Sequence, residues 1–133
     1  MSKSNTKTIL VVEDHADTAE MLSLILQTEG YHVIRAANAG AAIGILGGPE
    51  GSRVSVVLLD LTLPDMNGDE AIRNLRNLHV HVPPTLIMSA KPAASLEDAA
   101  FSVGAAGIVR KPFDVQSLLV SIESALDGTS ASA

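Results

Sequence analysis

Five short apolar runs, most of them followed by a stretch suited to a helix, succeed one another along this sequence, and that alternation leaves few folds open. Thr8–Val12 (TILVV) is nearly continuous in apolar residues, as a strand covered on both faces requires. Ala16–Thr28 reads as a helix stopped by Gly30. His32–Ala36 is a second strand, more polar than the first, and so belongs near an edge. Ala39–Leu46 is a weak helix closed by Gly47, Gly48 and Pro49. Val54–Leu59 is the most apolar run and is expected at the centre. Asp69–Leu78 reads as a helix with acids in its first turn, where the helix dipole favours them. Thr85–Met88 is a fourth strand, and Ser95 with Asp98 resembles a helix-start capping pattern. Gly107–Arg110 is a fifth strand. Asp114 caps a last helix whose face is expected to carry Val115, Leu118, Leu119, Ile122 and Leu126. Repeated βα units of this kind build a parallel sheet with helices on both faces.

The chain has 133 residues, enough for one domain with a real core and no staples. We expect that domain to span residues 1–127 and the small polar tail 128–133 to be disordered. There is no cysteine, which excludes disulfides and thiolate chemistry and fits a reducing compartment. The first residues hold no apolar stretch suited to a secretion signal, and the apolar runs are far shorter than the roughly 20 residues of a membrane span. A cytoplasmic protein with no membrane contact is expected. The net charge of −6 disfavours direct nucleic-acid binding, and the few aromatics give no stacking platform. The core must be aliphatic.

In an open α/β sheet, ligands bind beyond the carboxyl ends of the strands. Here those ends carry Glu13 and Asp14, then Asp60, then Ser89, then Lys111 followed by Pro112. The second strand delivers nothing comparable. Three carboxylates in one place repel one another, so their charge must be screened or a proton taken up. A divalent cation does this, and an all-oxygen set suits Mg²⁺, or Mn²⁺ in its place. A carboxylate can attack phosphorus and form an acyl phosphate, while the metal and a lysine neutralise the transferred group. Asp60 is the best nucleophile, because it ends the most buried strand and opens a loop shaped by Pro64 and Gly68.

These residues carry a resemblance. The Glu13-Asp14 pair after an apolar strand, the run from Val57 through Asp60 to Gly68, Ile87–Ala90, and Lys111-Pro112-Phe113 together resemble a response-regulator receiver domain of two-component signalling, from about Thr8 to Leu126. The resemblance implies a flavodoxin-like (βα)5 fold with strand order 2-1-3-4-5, and a stand-alone single-domain type or a piece of a longer hybrid kinase. It implies Asp60 as the phospho-acceptor, Asp14 as a direct Mg²⁺ ligand, Glu13 as a ligand acting largely through water, and the backbone carbonyl of Thr62 as another. Ser89 matches the switch hydroxyl and Lys111 the phosphate-binding lysine, with the Lys111–Pro112 peptide usually cis. Thr62 and Lys91 stand where side chains tune access of the hydrolytic water. The implied donor is a sensor histidine kinase or a histidine phosphotransfer protein. The implied output is a contact with an unidentified protein through the fourth helix, fifth strand and fifth helix, from a monomer or weak homodimer. Ile108 departs from the pattern: the family often has Tyr or Phe there. Isoleucine is stiff at χ1 and has no polar tip, so a smaller or different rearrangement of that surface is expected.

Plainer readings stand beside these. Asp65 and Asp69 read as loop and helix-start residues. His15 follows the acid pair and either faces solvent or touches the pocket. His79 and His81 have strand-neighbour spacing but no carboxylate or cysteine company, so a metal role is not assigned. Met21, Met66 and Met88 read as core or loop packing. Two other functions compete. One is a receiver fold used as a phosphorylation-independent docking or dimerisation module. The other is a haloacid-dehalogenase-type phosphatase, which usually needs a second Asp two residues after the nucleophile, where this chain has Thr62. Beyond autocatalytic phosphotransfer and autodephosphorylation, no enzyme activity is expected.

Overall fold

In a computed structural model the protein is described over residues 7–60, 73, 74, 77, 82–89, 106–110 and 114–127. The elements run β1 (Thr8–Val12), α1 (Ala16–Thr28), β2 (His32–Ala36), α2 (Ala39–Leu46), a 3-10 turn (Gly51–Arg53), β3 (Val54–Asp60), β4 (Thr85–Ser89), β5 (Gly107–Arg110) and a last helix, here α3 (Val115–Leu126). All strand pairings are parallel, and the order across the sheet is β2-β1-β3-β4-β5. β3 and β4 each run one residue further than their apolar runs suggest, taking Asp60 and Ser89 into the sheet. Of the expected helix 69–78, Arg73, Asn74 and Asn77 are described and helical. The capping pattern at Ser95 and the tail 128–133 lie outside the described residues.

Burial alternates along the strands because successive side chains point to opposite faces. On one face Leu10, Val12, Val57, Leu59 and Ile87 pack with Ala39, Ala42 and Leu46 of α2. On the other, Val11, Leu58 and Met88 pack with Leu22 and Leu26 of α1 and Leu118 and Ile122 of α3. The two layers make β1, β3 and β4 buried on both sides. β2 has a neighbour on one side only, and its exposed His32 and Arg35 are the polar residues that mark an edge.

Local chemistry sets the helix ends. The Asn38 side chain accepts from the Ala41 amide at 2.8 Å, and Asp114 Oδ2 accepts from the Ser117 amide at 3.0 Å. After α1 the chain reverses at Gly30, whose φ of 93° favours a residue without a Cβ. The amides of Gly30 and Tyr31 close that turn on the carbonyls of Gln27 and Leu26. At Gly51 an added Cβ would overlap the backbone of Leu46, so the tight passage from α2 into β3 requires glycine.

Two packing expectations are corrected. Val115 is 43% exposed: it stands in the first turn of α3, and the buried face is made by Leu118, Ile122 and Ala125, with Leu119 and Leu126 half-buried. Met21 is 45% exposed, because α1 turns Ala19, Leu22, Ser23 and Leu26 to the sheet. Met88 is buried as expected, and Met66 lies outside the described residues.

Candidate functional site

β1 and β3 are hydrogen-bonded neighbours with Val12 opposite Leu59. The next residue on each strand is Glu13 and Asp60, so the register brings two acids side by side at the carboxyl end of the sheet. Neighbouring strands lie about 4.8 Å apart, within the span of a shared cation. Both acids are buried. The Glu13 amide donates to the Ala36 carbonyl at 3.0 Å, which carries the β1–β2 ladder one step past β1. Asp14 follows in the turn to α1, its side chain 34% exposed.

A buried carboxylate is costly unless it is hydrogen-bonded or paired. Glu13, whose side chain is fully buried, accepts at Oε2 from the backbone N–H of His15 at 3.3 Å. The His15 ring is 75% exposed, and its Nδ1 lies 3.3 Å from Glu13 Oε2 and 3.5 Å from Asp14 Oδ1. Both readings of His15 therefore hold at once: it faces solvent and touches the acids. The spacing in sequence could not decide this, since it depends on how the turn into α1 folds back.

Ser89 ends β4, one residue past Met88, which stands opposite Asp60. It is buried and pairs across the sheet with Arg110 of β5. Ile108, half-buried, stands opposite Ile87 and packs against the same layer as it does. By strand alternation Ser89 shares that face, so the hydroxyl and Ile108 lie on one side of the sheet. The structure thus brings Glu13, Asp14, Asp60 and Ser89 to one rim. Lys111, Pro112, Thr62, Lys91, Asp65, Asp69, His79 and His81 lie outside the described residues.

Glu13 and Asp14 offer hard oxygen donors beside the His15 nitrogen, and Asp60 adds another carboxylate at the neighbouring strand end. That chemistry fits a divalent cation such as Mg²⁺.

Comparison with known proteins gives the arrangement a context. The family model for the response regulator receiver domain matches residues 9–123. The chain belongs to the response-regulator receiver family. Among curated relatives, the transcriptional regulatory protein KdpE of Mycobacterium tuberculosis (strain ATCC 25618 / H37Rv) is 33% identical over 126 residues, 94% of this chain and 53% of that protein. The alkaline phosphatase synthesis transcriptional regulatory protein SphR of Synechococcus elongatus is 38% identical over 117 residues, 84% of this chain and 45% of that protein. The chain spans about half the length of the curated relatives it matches. A CheY-like receiver domain protein from Methanospirillum hungatei JF-1 superposes with a TM-score of 0.82 at 27% identity, covering 93% of this chain and 96% of that one. A LuxR-family two-component response regulator from Aurantimonas sp. SI85-9A1 gives 0.81 at 33% identity, covering 95% and 89%. As a receiver domain, the protein is a phosphoryl-accepting signalling module of the two-component type rather than a conventional enzyme. No helix among the described residues is long and apolar enough to cross a membrane.

Proposed function

We propose that Asp60 is the phosphoryl acceptor of this receiver, fed by a phosphohistidine on a sensor histidine kinase or phosphotransfer protein. The observation that carries this reading is the burial of Asp60 at the end of β3, in register beside Glu13 at the end of β1. A carboxylate oxygen of Asp60 attacks phosphorus. The bond from phosphorus to the donor imidazole nitrogen breaks, and the acyl phosphate forms. Glu13, Asp14, Asp60 and the backbone carbonyl of Thr62 would hold Mg²⁺, or Mn²⁺, and the ion would screen the carboxylates and the charge of the phosphoryl oxygens. Ser89 donates its hydroxyl proton in a hydrogen bond to a phosphoryl oxygen, and Lys111 neutralises another. Lys91 and the Thr62 side chain govern access of the water that later hydrolyses the acyl phosphate.

Incubation with acetyl phosphate and Mg²⁺ followed by mass spectrometry tests the assignment. The wild type gains one phosphoryl mass and Asp60→Asn gains none. Labelling of the variant to the same extent would overturn it. Catalytic turnover of a generic phosphate monoester would instead support the haloacid-dehalogenase alternative, which the family match does not favour. An unchanged spectrum on adding a beryllofluoride mimic with Mg²⁺ would support the phosphorylation-independent docking module.

The output reading is a protein contact through the helix expected to start near Ser95, β5 and α3, from a cytoplasmic monomer or weak homodimer. With Ile108 in place of an aromatic, chemical-shift changes in β5 on phosphorylation are expected to be smaller than those around Asp60. Equal changes would show that the coupling needs no aromatic. The names of KdpE and SphR favour a second reading, in which this module governs transcription through a DNA-binding partner or segment. Its acidic surface makes the module itself a poor DNA ligand.

A further inference from the structure

The reading above treats the cation pocket as all oxygen, yet an imidazole lies beside the two acids that follow β1. Glu13, Asp14 and His15 each offer one ligand atom, and these atoms all lie within 4.8 Å of one another. No other group of three such side chains comes together among the described residues. His15 is also the residue that caps α1, but its side chain makes no capping hydrogen bond. Its ring turns back toward the acids instead of serving the helix amides, so the helix start does not depend on it.

We propose that His15 joins Glu13 and Asp14 in a mixed nitrogen–oxygen site that takes late first-row divalent ions (cobalt, nickel or zinc) in preference to Mg²⁺. The proposal rests on the reading that Glu13 and Asp14 hold a divalent ion. Two observations lead to it. The Nδ1-to-oxygen distances of 3.3 Å, a hydrogen bond in the metal-free protein, and 3.5 Å are close to the separations of neighbouring ligands on one ion: metal bonds of about 2.0–2.1 Å at octahedral or tetrahedral angles hold adjacent ligand atoms about 2.8–3.4 Å apart. The approach of ring to carboxylates is already made, so the imidazole need not move far to bind. The donor types do the rest. Mg²⁺ prefers oxygen and gains little from imidazole, whereas Co²⁺, Ni²⁺ and Zn²⁺ gain from it and stand higher in the affinity order for such sites. His15 is then a metal-selectivity residue in a pocket otherwise built for a hard cation.

Co²⁺ is the useful probe, because its visible spectrum reports nitrogen ligation and its paramagnetism shifts nearby imidazole protons. Co²⁺ and Mg²⁺ are titrated separately into the full chain by calorimetry and NMR, in wild type, His15→Ala, His15→Gln and Asp14→Asn. In the wild type, Co²⁺ is expected to bind more tightly than Mg²⁺ and to shift the His15 ring protons. Both His15 variants are expected to lose at least about tenfold in Co²⁺ affinity while Mg²⁺ affinity stays as it was; Asp14→Asn weakens both ions. A Co²⁺-to-Mg²⁺ affinity ratio that is the same with and without His15 overturns the proposal and leaves the Mg²⁺ reading standing. So does Co²⁺ perturbing only His32, His79 or His81. If neither ion binds the wild type, the divalent-cation reading fails and the proposal with it.

Discussion

The two rims of the sheet are both acidic, and they use their acids differently. At the carboxyl rim, Glu13 and Asp60 are buried at adjacent strand ends, and the His15 ring lies against Glu13 and Asp14. At the amino rim, Glu29 and Asp127 end α1 and α3, Glu123 stands one turn earlier, and Tyr31 enters β2 among them. Neither helix has a basic residue in its last turn, where one would be favourable. The acids of the amino rim are solvated and cost little. Glu13 and Asp60 at the carboxyl rim have been taken out of water, which evolution tolerates mainly where the charge is put to use. Burial, more than charge, separates the site from the background.

The largest test of that contrast is cation binding. Mg²⁺ at about 100 times its dissociation constant should raise wild-type stability by about 2.7 kcal/mol, read as a shift of the urea midpoint. Asp14→Asn should remove most of that gain, while Glu123→Gln at the other rim should leave it whole. A gain that survives Asp14→Asn would mean that the ion sits elsewhere. A smaller test asks what burial costs a polar group that has no job. The Ser23 hydroxyl on α1 is buried with no hydrogen-bond partner among the described residues. Ser23→Ala should stabilise the fold by about 1 kcal/mol in the same denaturation experiment. A loss would show that the hydroxyl has a partner after all.

The smallest effect belongs to the amino rim. Burial pushes the Tyr31 phenol above its ordinary range, and the nearby charges of Glu123, Glu29 and Asp127 add to the rise. The chain has one tyrosine and no tryptophan, so ultraviolet absorbance isolates its ionisation. The midpoint should lie above that of free tyrosine and fall slightly in Glu123→Gln. Because the folded state holds the phenolic proton more tightly, this contribution to stability is full below the unfolded pKa and is lost as pH rises through the folded one. Mg²⁺ should leave the midpoint where it is, and a marked shift would show that the rims communicate.

Much of this was legible in the sequence because its signals are local. Continuous apolar runs marked β1 and β3 as interior strands, His32 and Arg35 marked β2 as an edge, and Asp114 announced the start of α3. The acids followed from one rule, that chemistry sits where parallel strands end. What failed to show was set by contacts across the fold. Periodicity gave α3 an apolar face but not its limits, so Val115 was assigned to a core that it does not reach. Met21 looked like packing because hydrophobicity carries no direction. Gly51 gave no sign that the Leu46 backbone would crowd it. The position of His15 depends on the path of the three-residue turn between β1 and α1, which no pattern of residue types encodes.

The bond from the Glu13 amide to the Ala36 carbonyl has one more consequence. It fastens the turn that carries Glu13 and Asp14 to an edge strand, so any fraying of that margin reaches this turn before it reaches the interior. The hydrogen on that nitrogen should therefore trade for deuterium sooner than those of β3, and the trade should slow once an ion is bound. A signalling domain assembled this way ties a residue of its candidate site to the margin of its sheet.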